Sequence, residues 1–303
     1  MLTIVSVGLA AVTLQSIGTI RPDANCMAFA PTGNQLAVGH GDMTLRIYGA
    51  GLKLERTLRQ EGRAFALQSV AYNPKGGSIA GGAENGRIIV WNLNNNTQFS
   101  LTGHSRAVNN LSFNKAGTRL MSTSDDDTVR IWDLNTRQTV LTIRGNGVNL
   151  YGAEFSSDGT KVVVGTLGKG MSIYNASNGQ LIRTFGGHYG GAQDASANAA
   201  YTRAVSAGRD KRLAVWDLKT NNRISYLSGH EDYVMYVKYS PNGKWFASSS
   251  SDATVILWNA STLKQEAKLT GMSWIGSRLA WNASSTLLAT INEYNLVRVY
   301  QVK

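Results

Sequence analysis

Residues 103–133 read GHSRAVNNLSFNKAGTRLMSTSDDDTVRIWD, and the fold is decided there. Leu120 to Ser124 and Thr128 to Trp132 are short runs that alternate with a period of two, split by an Asp-rich turn, which is the signature of half-buried strands. The stretch also recurs. A large aromatic returns at Tyr48, Trp91, Trp132, Tyr174, Trp216, Trp258 and Tyr300, at intervals of 43, 41, 42, 42, 42 and 42 residues. Nineteen residues before each stand Phe29, Tyr72, Phe113, Phe155, Ala197, Tyr239 and Trp281. Turn sequences such as NPKG at 73–76, SSDG at 156–159 and SPNG at 240–243 separate the runs, their Gly and Asn tolerating the positive φ of tight turns.

Each unit therefore reads as four short strands. A lone four-stranded sheet cannot bury both faces, so the units must stack, with the recurring aromatics as filler between sheets. At this point the residues resemble WD repeats: Gly103-His104 with Trp132-Asp133, Gly187-His188 with Trp216-Asp217, and Gly229-His230 with Trp258-Asn259. The resemblance runs from about residue 13 to residue 303. It implies an all-β, seven-bladed β-propeller of four-stranded antiparallel blades, strands a to d running outward from a central channel. The last repeat stops three residues after Tyr300, too soon for a strand d, whereas residues 13–18 match that position upstream of the first repeat. The N-terminal strand is thus expected to close the seventh blade, leaving residues 1–12 as an extension before a single domain at 13–303.

Composition agrees with a turn-rich globular chain: 32 Gly, 4 Pro and 16% charged residues, with no low-complexity tract. The only cysteine, Cys26, cannot form an internal disulfide. Residues 1–20 carry no charge and are dotted with Thr, Ser and Gln. That disfavours a signal peptide and a membrane span, so a reducing, cytoplasmic setting is the default, with nucleus or organelle left open.

Three blades place His, Asp and Trp at matched offsets: His104, Asp126, Trp132; His188, Asp210, Trp216; His230, Asp252, Trp258. With strand-b hydroxyls at Ser124 and Ser250 they invite a hydrolase reading. The resemblance implies instead a buried hydrogen-bond network, and its repetition in three blades argues for scaffolding; no catalytic residue is expected. Arg63, Asn146 and Met272 stand at the His position of other blades, and Asn85, Gly168 and Tyr294 at the Asp position. Metal binding fails on inventory, because three of four His serve the repeat and one Cys exists. The 165–170 stretch GTLGKG lacks the Gly-Lys-Ser/Thr ending of a phosphate loop, so no cofactor is expected.

What remains is surface. Register puts Asn25, Gln68, Asn109, Tyr151, Gln193, Met235 and Ser277 at equivalent inner positions near the channel mouth, with Tyr233 and Trp274 beside them. Amides suit an extended peptide backbone and the aromatics and Met supply anchors; the alternative is solvated channel wall. The net charge of +11 has a location. The d–a and b–c loops of the top face are mixed to acidic, and the opposite turns carry Lys75, Lys115, Arg119, Lys161, Arg203, Lys219, Arg223 and Lys244. Such a basic bottom face attracts polyanions such as RNA or an acidic protein, unless it serves only solubility. The sequence thus points to a scaffold subunit binding protein at its top mouth, secondly to a ribonucleoprotein component held by its basic face, and least to an enzyme.

Overall fold

A computed structural model of the chain describes residues 5–6, 12–21, 23–145, 150–168, 170–273 and 278–303. These residues form seven antiparallel sheets arranged as a propeller. Blade 3 shows the plan: Val108–Phe113, Arg119–Ser124, Thr128–Asp133 and Gln138–Arg144 pair in that order from the channel outward. Its recurring aromatic, Trp132, is fully buried on strand c.

The core lies between blades rather than within them. Val205, Leu213 and Val215 of blade 5 pack against Val237, Tyr239, Phe246 and Trp258 of blade 6 in one cluster. Phe185, on the outer strand of blade 4, meets Trp216 of blade 5 at 5.3 Å between ring centres. Each buried aromatic removes a large apolar area from water on both of its faces, about 1.5–3 kcal/mol for a side chain of this class.

Ring closure follows the expected route. Leu14–Ile20 pairs antiparallel with Val297–Val302, Leu14 opposite Val302 and Ile20 opposite Val297, and completes the sheet that Leu279–Trp281 and Leu287–Ile291 begin. Thr13 and Lys303 exchange backbone hydrogen bonds at 3.1 and 3.2 Å, extending the clasp. Val5–Ser6 lies opposite Lys268 and Ala267 as a fifth strand on the outer edge of blade 6.

The inner strands are also tied to one another around the channel, by bonds other than the ladders within each sheet. The Cys26 thiol donates to the Leu67 carbonyl at 3.6 Å, Ser69 Oγ to Val108 at 2.7 Å, and Asn110 Nδ2 to Ala153 at 2.7 Å. Further round, the Ala197 N–H donates to Glu154, Val237 N–H to Asp194 at 3.0 Å, and the Trp281 indole to the Lys238 carbonyl at 3.1 Å. Between blades 7 and 1 the tie lies instead in the a–b turns, where Asn282 Nδ2 reaches the exposed Asn34 at 2.9 Å. These bonds satisfy polar groups that would otherwise be left unpaired beside an apolar interface.

Leu14 is buried among Leu257, Trp281 and Tyr300, whereas Ile17 on the same strand is half-exposed. Leu14→Ala is expected to lower unfolding stability by about 2–5 kcal/mol in urea titrations, while Ile17→Ala stays within about 0.5 kcal/mol.

Candidate functional site

The mouth residues owe their direction to a repeated irregularity. In blades 1 to 6 the pairing of strands a and b slips at the same place: between Ala24 and Cys26, Leu67 and Ser69, Val108 and Asn110, Leu150 and Ala153, Ala192 and Asp194, and Val234 and Tyr236. The skipped residues are Asn25, Gln68, Asn109, Tyr151 with Gly152, Gln193 and Met235. A β-bulge leaves one residue outside the ladder and turns its side chain, here at the rim of the channel.

The channel encloses a cavity of about 660 Å³ to which all seven blades contribute. Gln68, Asn109, Tyr151, Gln193 and Met235 line it, as the register predicts. Asn25 is half-buried and stands outside the lining; Tyr233 lies on the rim, its ring under the Arg209 guanidinium at 5.8 Å. Trp274 and Ser277 lie outside the described residues.

Charged groups in the lining escape the register argument. Arg278, Arg209 and Asp125 sit toward the top, and Glu154, Asp194 and Lys238 deeper. Arg278 crosses from blade 7 to donate to the Asn109 carbonyl of blade 3 at 3.0 Å, passing 4.6 Å from the Tyr236 ring centre. Glu154 pairs with Lys238 Nζ at 2.6 Å. Asp194 accepts from the Ala195 and Val237 N–H groups and fills the space beside Gly152, where a Cβ would stand 1.7 Å from its Oδ1. One sequence signal was present: Glu154 and Lys238 fall in register with Ala28, Ala71, Ser112, Ser196 and Ala280, so charge stands where other blades keep a small side chain.

The top face also presents large exposed side chains. Tyr189 is 91% exposed on the loop from blade 4 to blade 5, and Tyr294 is 69% exposed on the b–c turn of blade 7. Tyr233 and Met43 are also exposed, on other loops of that face. Tyr189 lies beside the mouth, since the next residue, Gly190, abuts the Arg209 side chain.

The three His–Asp–Trp sets form relays. His104 bonds Asp126 through Nδ1 at 2.8 Å and the Ser122 hydroxyl through Nε2 at 2.7 Å, and the Trp132 indole donates to the same hydroxyl at 2.8 Å. His188, Asp210, Ser206 and Trp216 repeat this in blade 5, and His230, Asp252, Ser248 and Trp258 in blade 6. The serine partners are therefore Ser122, Ser206 and Ser248, not Ser124 and Ser250. The latter two donate to the Arg106 and Asp232 carbonyls, each at 3.0 Å. Ser122, Ser206 and Ser248 are fully buried and engaged by indole and imidazole together, so a substrate cannot reach the oxygen. Blade 1 substitutes a different bond, His40 Nε2 to the Tyr48 hydroxyl at 3.0 Å.

Burial depresses the His104 pKa, keeping the ring neutral against the opposing pull of Asp126. The Asp126 and Asp252 carboxyls are held low because their hydrogen bonds, chiefly from Thr128 at one and His230 at the other, outweigh the burial that opposes them. In the channel, burial pushes the Asp194 carboxyl up to about 7, with Glu154 adding to the rise and the Val237 N–H and Lys238 ammonium opposing it.

On the bottom face Lys75, Lys115, Lys219 and Lys244 are exposed, whereas four other basic groups are more enclosed or packed. Arg119 is partly buried; the Arg203 guanidinium donates to the Ala260 carbonyl at 2.9 Å and joins blades 5 and 6. Lys161 lies over the Tyr201 ring, and Arg223 lies 4.0 Å from the Tyr226 ring centre. Among the described residues, no cluster of three or more His, Cys, Asp or Glu is arranged to hold a metal, and no helix is long and apolar enough to cross a membrane.

His104→Ala strands a buried hydroxyl and a carboxylate and should destabilise by about 1–3 kcal/mol, whereas Arg63→Ala, at the equivalent place in blade 2 but exposed, should change stability by less than about 0.5 kcal/mol, both read by thermal melts. A second expectation concerns pH. The Asp194 pKa is higher in the fold than in the open chain, where it is about 3.9, so its protonated form favours folding. That contribution is complete below about pH 4 and lost as pH rises through about 7. Urea midpoints should accordingly fall between pH 5 and 8 more steeply, by about 10% or more, in the wild type than in Asp194→Asn.

Comparison with known proteins agrees with this architecture. The chain matches the family described as WD domain, G-beta repeat over residues 15–49, 95–133 and 221–259. It is similar to nuclear distribution protein PAC1 of Coccidioides posadasii, 28% identical over 288 residues, which is 84% of this chain and 60% of that protein. It is also similar to periodic tryptophan protein 2 of Arabidopsis thaliana, 27% identical over 206 residues, 67% of this chain and 23% of that protein. Pre-mRNA-processing factor 17 of Mus musculus is 28% identical over 180 residues, 57% of this chain and 31% of that protein. The matches span at most about three-fifths of these relatives' own lengths. The repeat matches fall on blades of a closed seven-bladed ring, and the His, Asp, Ser and Trp side chains are bonded alike in three blades, so the chain carries WD repeats in a seven-bladed β-propeller.

Proposed function

We propose that the chain is a non-catalytic scaffold or adaptor subunit, residues 13–303 forming one propeller whose top face docks protein or peptide within an intracellular complex. The observation that carries this reading is the concentration of exposed Tyr189, Tyr294, Tyr233 and Met43 on the top loops, around a mouth lined by Gln68, Asn109, Tyr151, Gln193 and Met235. Aromatic side chains left in water beside a shaped recess are typical anchors of protein interfaces, with amides fixing the orientation of a bound backbone. A rigid ring suits this use, because the docking groups need little reordering on binding. Relatives named as a transcription initiation factor TFIID subunit, in Caenorhabditis elegans, and as a pre-mRNA-processing factor accord with a subunit role. The buried serines of the relays weigh against hydrolysis.

The exposed Lys75, Lys115, Lys219 and Lys244 favour a second reading, a ribonucleoprotein component held by its bottom face. The engagement of Arg203, Lys161 and Arg223 in packing reduces the charge free for it.

Affinity purification from the source cell with wild type and with Tyr189→Ala/Tyr294→Ala tests both. The double variant should retain its melting temperature and lose specific protein partners at least tenfold. Unchanged recovery of the same partners by the double variant argues against the top face. RNA that co-purifies with both proteins, is released by moderate salt and is lost on replacing the four lysines would establish the second reading instead.

A further inference from the structure

The channel cavity holds three carboxylates and three cationic groups, and their partners are unequally shared. Glu154 is taken by Lys238 and the Ala197 N–H, and Asp194 by two backbone N–H groups. Asp125 accepts from the Asn109 amide at 2.5 Å. Arg209 and Arg278 are different: among the described residues neither forms an ion pair. Each is held in place by neutral groups. Arg278 is anchored by the Asn109 carbonyl and the Tyr236 ring, and Arg209 by the Tyr233 ring and by Gln193, whose amide oxygen, turned to face it, accepts from Nε and Nη2 at 3.0 and 3.2 Å. Arg209 Nη1 and Arg278 Nη2 have no hydrogen-bond partner among the described residues. Two guanidiniums held by neutral groups and facing one recess are suited to receive an anion.

We infer that the top of the channel is a carboxylate-binding site, in which Arg209 and Arg278 receive an acidic group of the docked peptide. This rests on the reading that the top face docks a peptide, and names the chemistry that reaches into the mouth. A carboxylate fits better than a phosphate. Toward the top, two guanidiniums face the single Asp125 carboxylate, while Glu154 and Asp194 are engaged deeper by Lys238 and backbone N–H groups, so the local excess is one positive charge, which matches a monoanion better than a dianion. The carboxylate can come from an acidic side chain or from a chain end, and the site itself accepts either.

The test is selection of a randomised peptide library on the full-length protein. Selected sequences are then synthesised with free and amidated C-termini, with each acid exchanged for its amide, and with phosphoserine in place of the acid. The expected result is one acidic position common to the selected peptides. Exchanging it for the amide should weaken binding at least tenfold on the wild type and less than twofold on Arg278→Gln or Arg209→Gln. Arg278→Lys, which keeps the charge but loses the fork, should fall between. Sensitivity to C-terminal amidation identifies a chain end as the source, and sensitivity to exchange of an internal acid identifies a side chain. Peptides that require Tyr189 and Tyr294 yet show no acidic preference, or bind phosphoserine more tightly, would overturn the carboxylate site while leaving top-face docking standing. Failure to select any peptide would overturn both. Melting temperatures of the variants within about 3 °C of wild type exclude misfolding as the cause, and Arg209→Gln, on the rim, serves if Arg278→Gln does not fold.

Discussion

A ring of stacked sheets is only as stable as its last junction. Each blade here buries its apolar faces against two neighbours, so an open seam would expose the flanks of two sheets at once. The strand Leu14–Ile20 removes that seam by pairing with Val297–Val302, which joins the two ends of a 303-residue chain without a covalent bond. The circuit of bonds between inner strands depends on this closure, since the distance from one inner strand to the next is set by how many blades must share the circle. The width of the channel, and with it the reach of Arg278 to the far wall, follows from the same constraint.

Within that frame a departure from regular pairing produces the surface available for function. The bulge near the start of the inner strand in blades 2 to 6 withdraws a residue from the ladder and presents it at the mouth. Substitution there does not disturb a ladder bond. Blades can therefore carry an amide, a tyrosine or a methionine at equivalent places while the scaffold stays the same. The relays of His104, His188 and His230 are the opposite case. Their members are buried and mutually satisfied, and a change in one leaves the others without partners. Although their connectivity is that of a hydrolytic triad, the setting differs, because the indole donates to the very oxygen that a substrate would have to approach.

The fold was legible because its main determinant is local and repeated. A bulky ring every 42 residues or so, with alternating runs around it, leaves few ways to bury both faces of a four-stranded unit, and residues 13–18 match the outer-strand position upstream of the first repeat. The His, Asp and Trp of the relays were legible for the same reason, being at matched offsets. Their serine partners were not. Ser122 and Ser124 lie two residues apart on one strand and project from the same side, so which of them the imidazole meets depends on how deeply the loop carrying His104 dips between blades.

The repeat arithmetic of the chain determined the number of blades, the closing strand and the positions of Gln68, Asn109, Tyr151, Gln193 and Met235 at the mouth, because strand periodicity and bulge position are properties of neighbouring residues. It did not determine which charges meet inside. Arg278 reaches a carbonyl 169 residues away, Glu154 meets an ammonium 84 residues away, and Tyr189 stands in solvent while other aromatics are buried. Those relations were decided by the curvature of the closed ring, which sets distances across the channel and the outlook of each loop, and no local pattern encodes them.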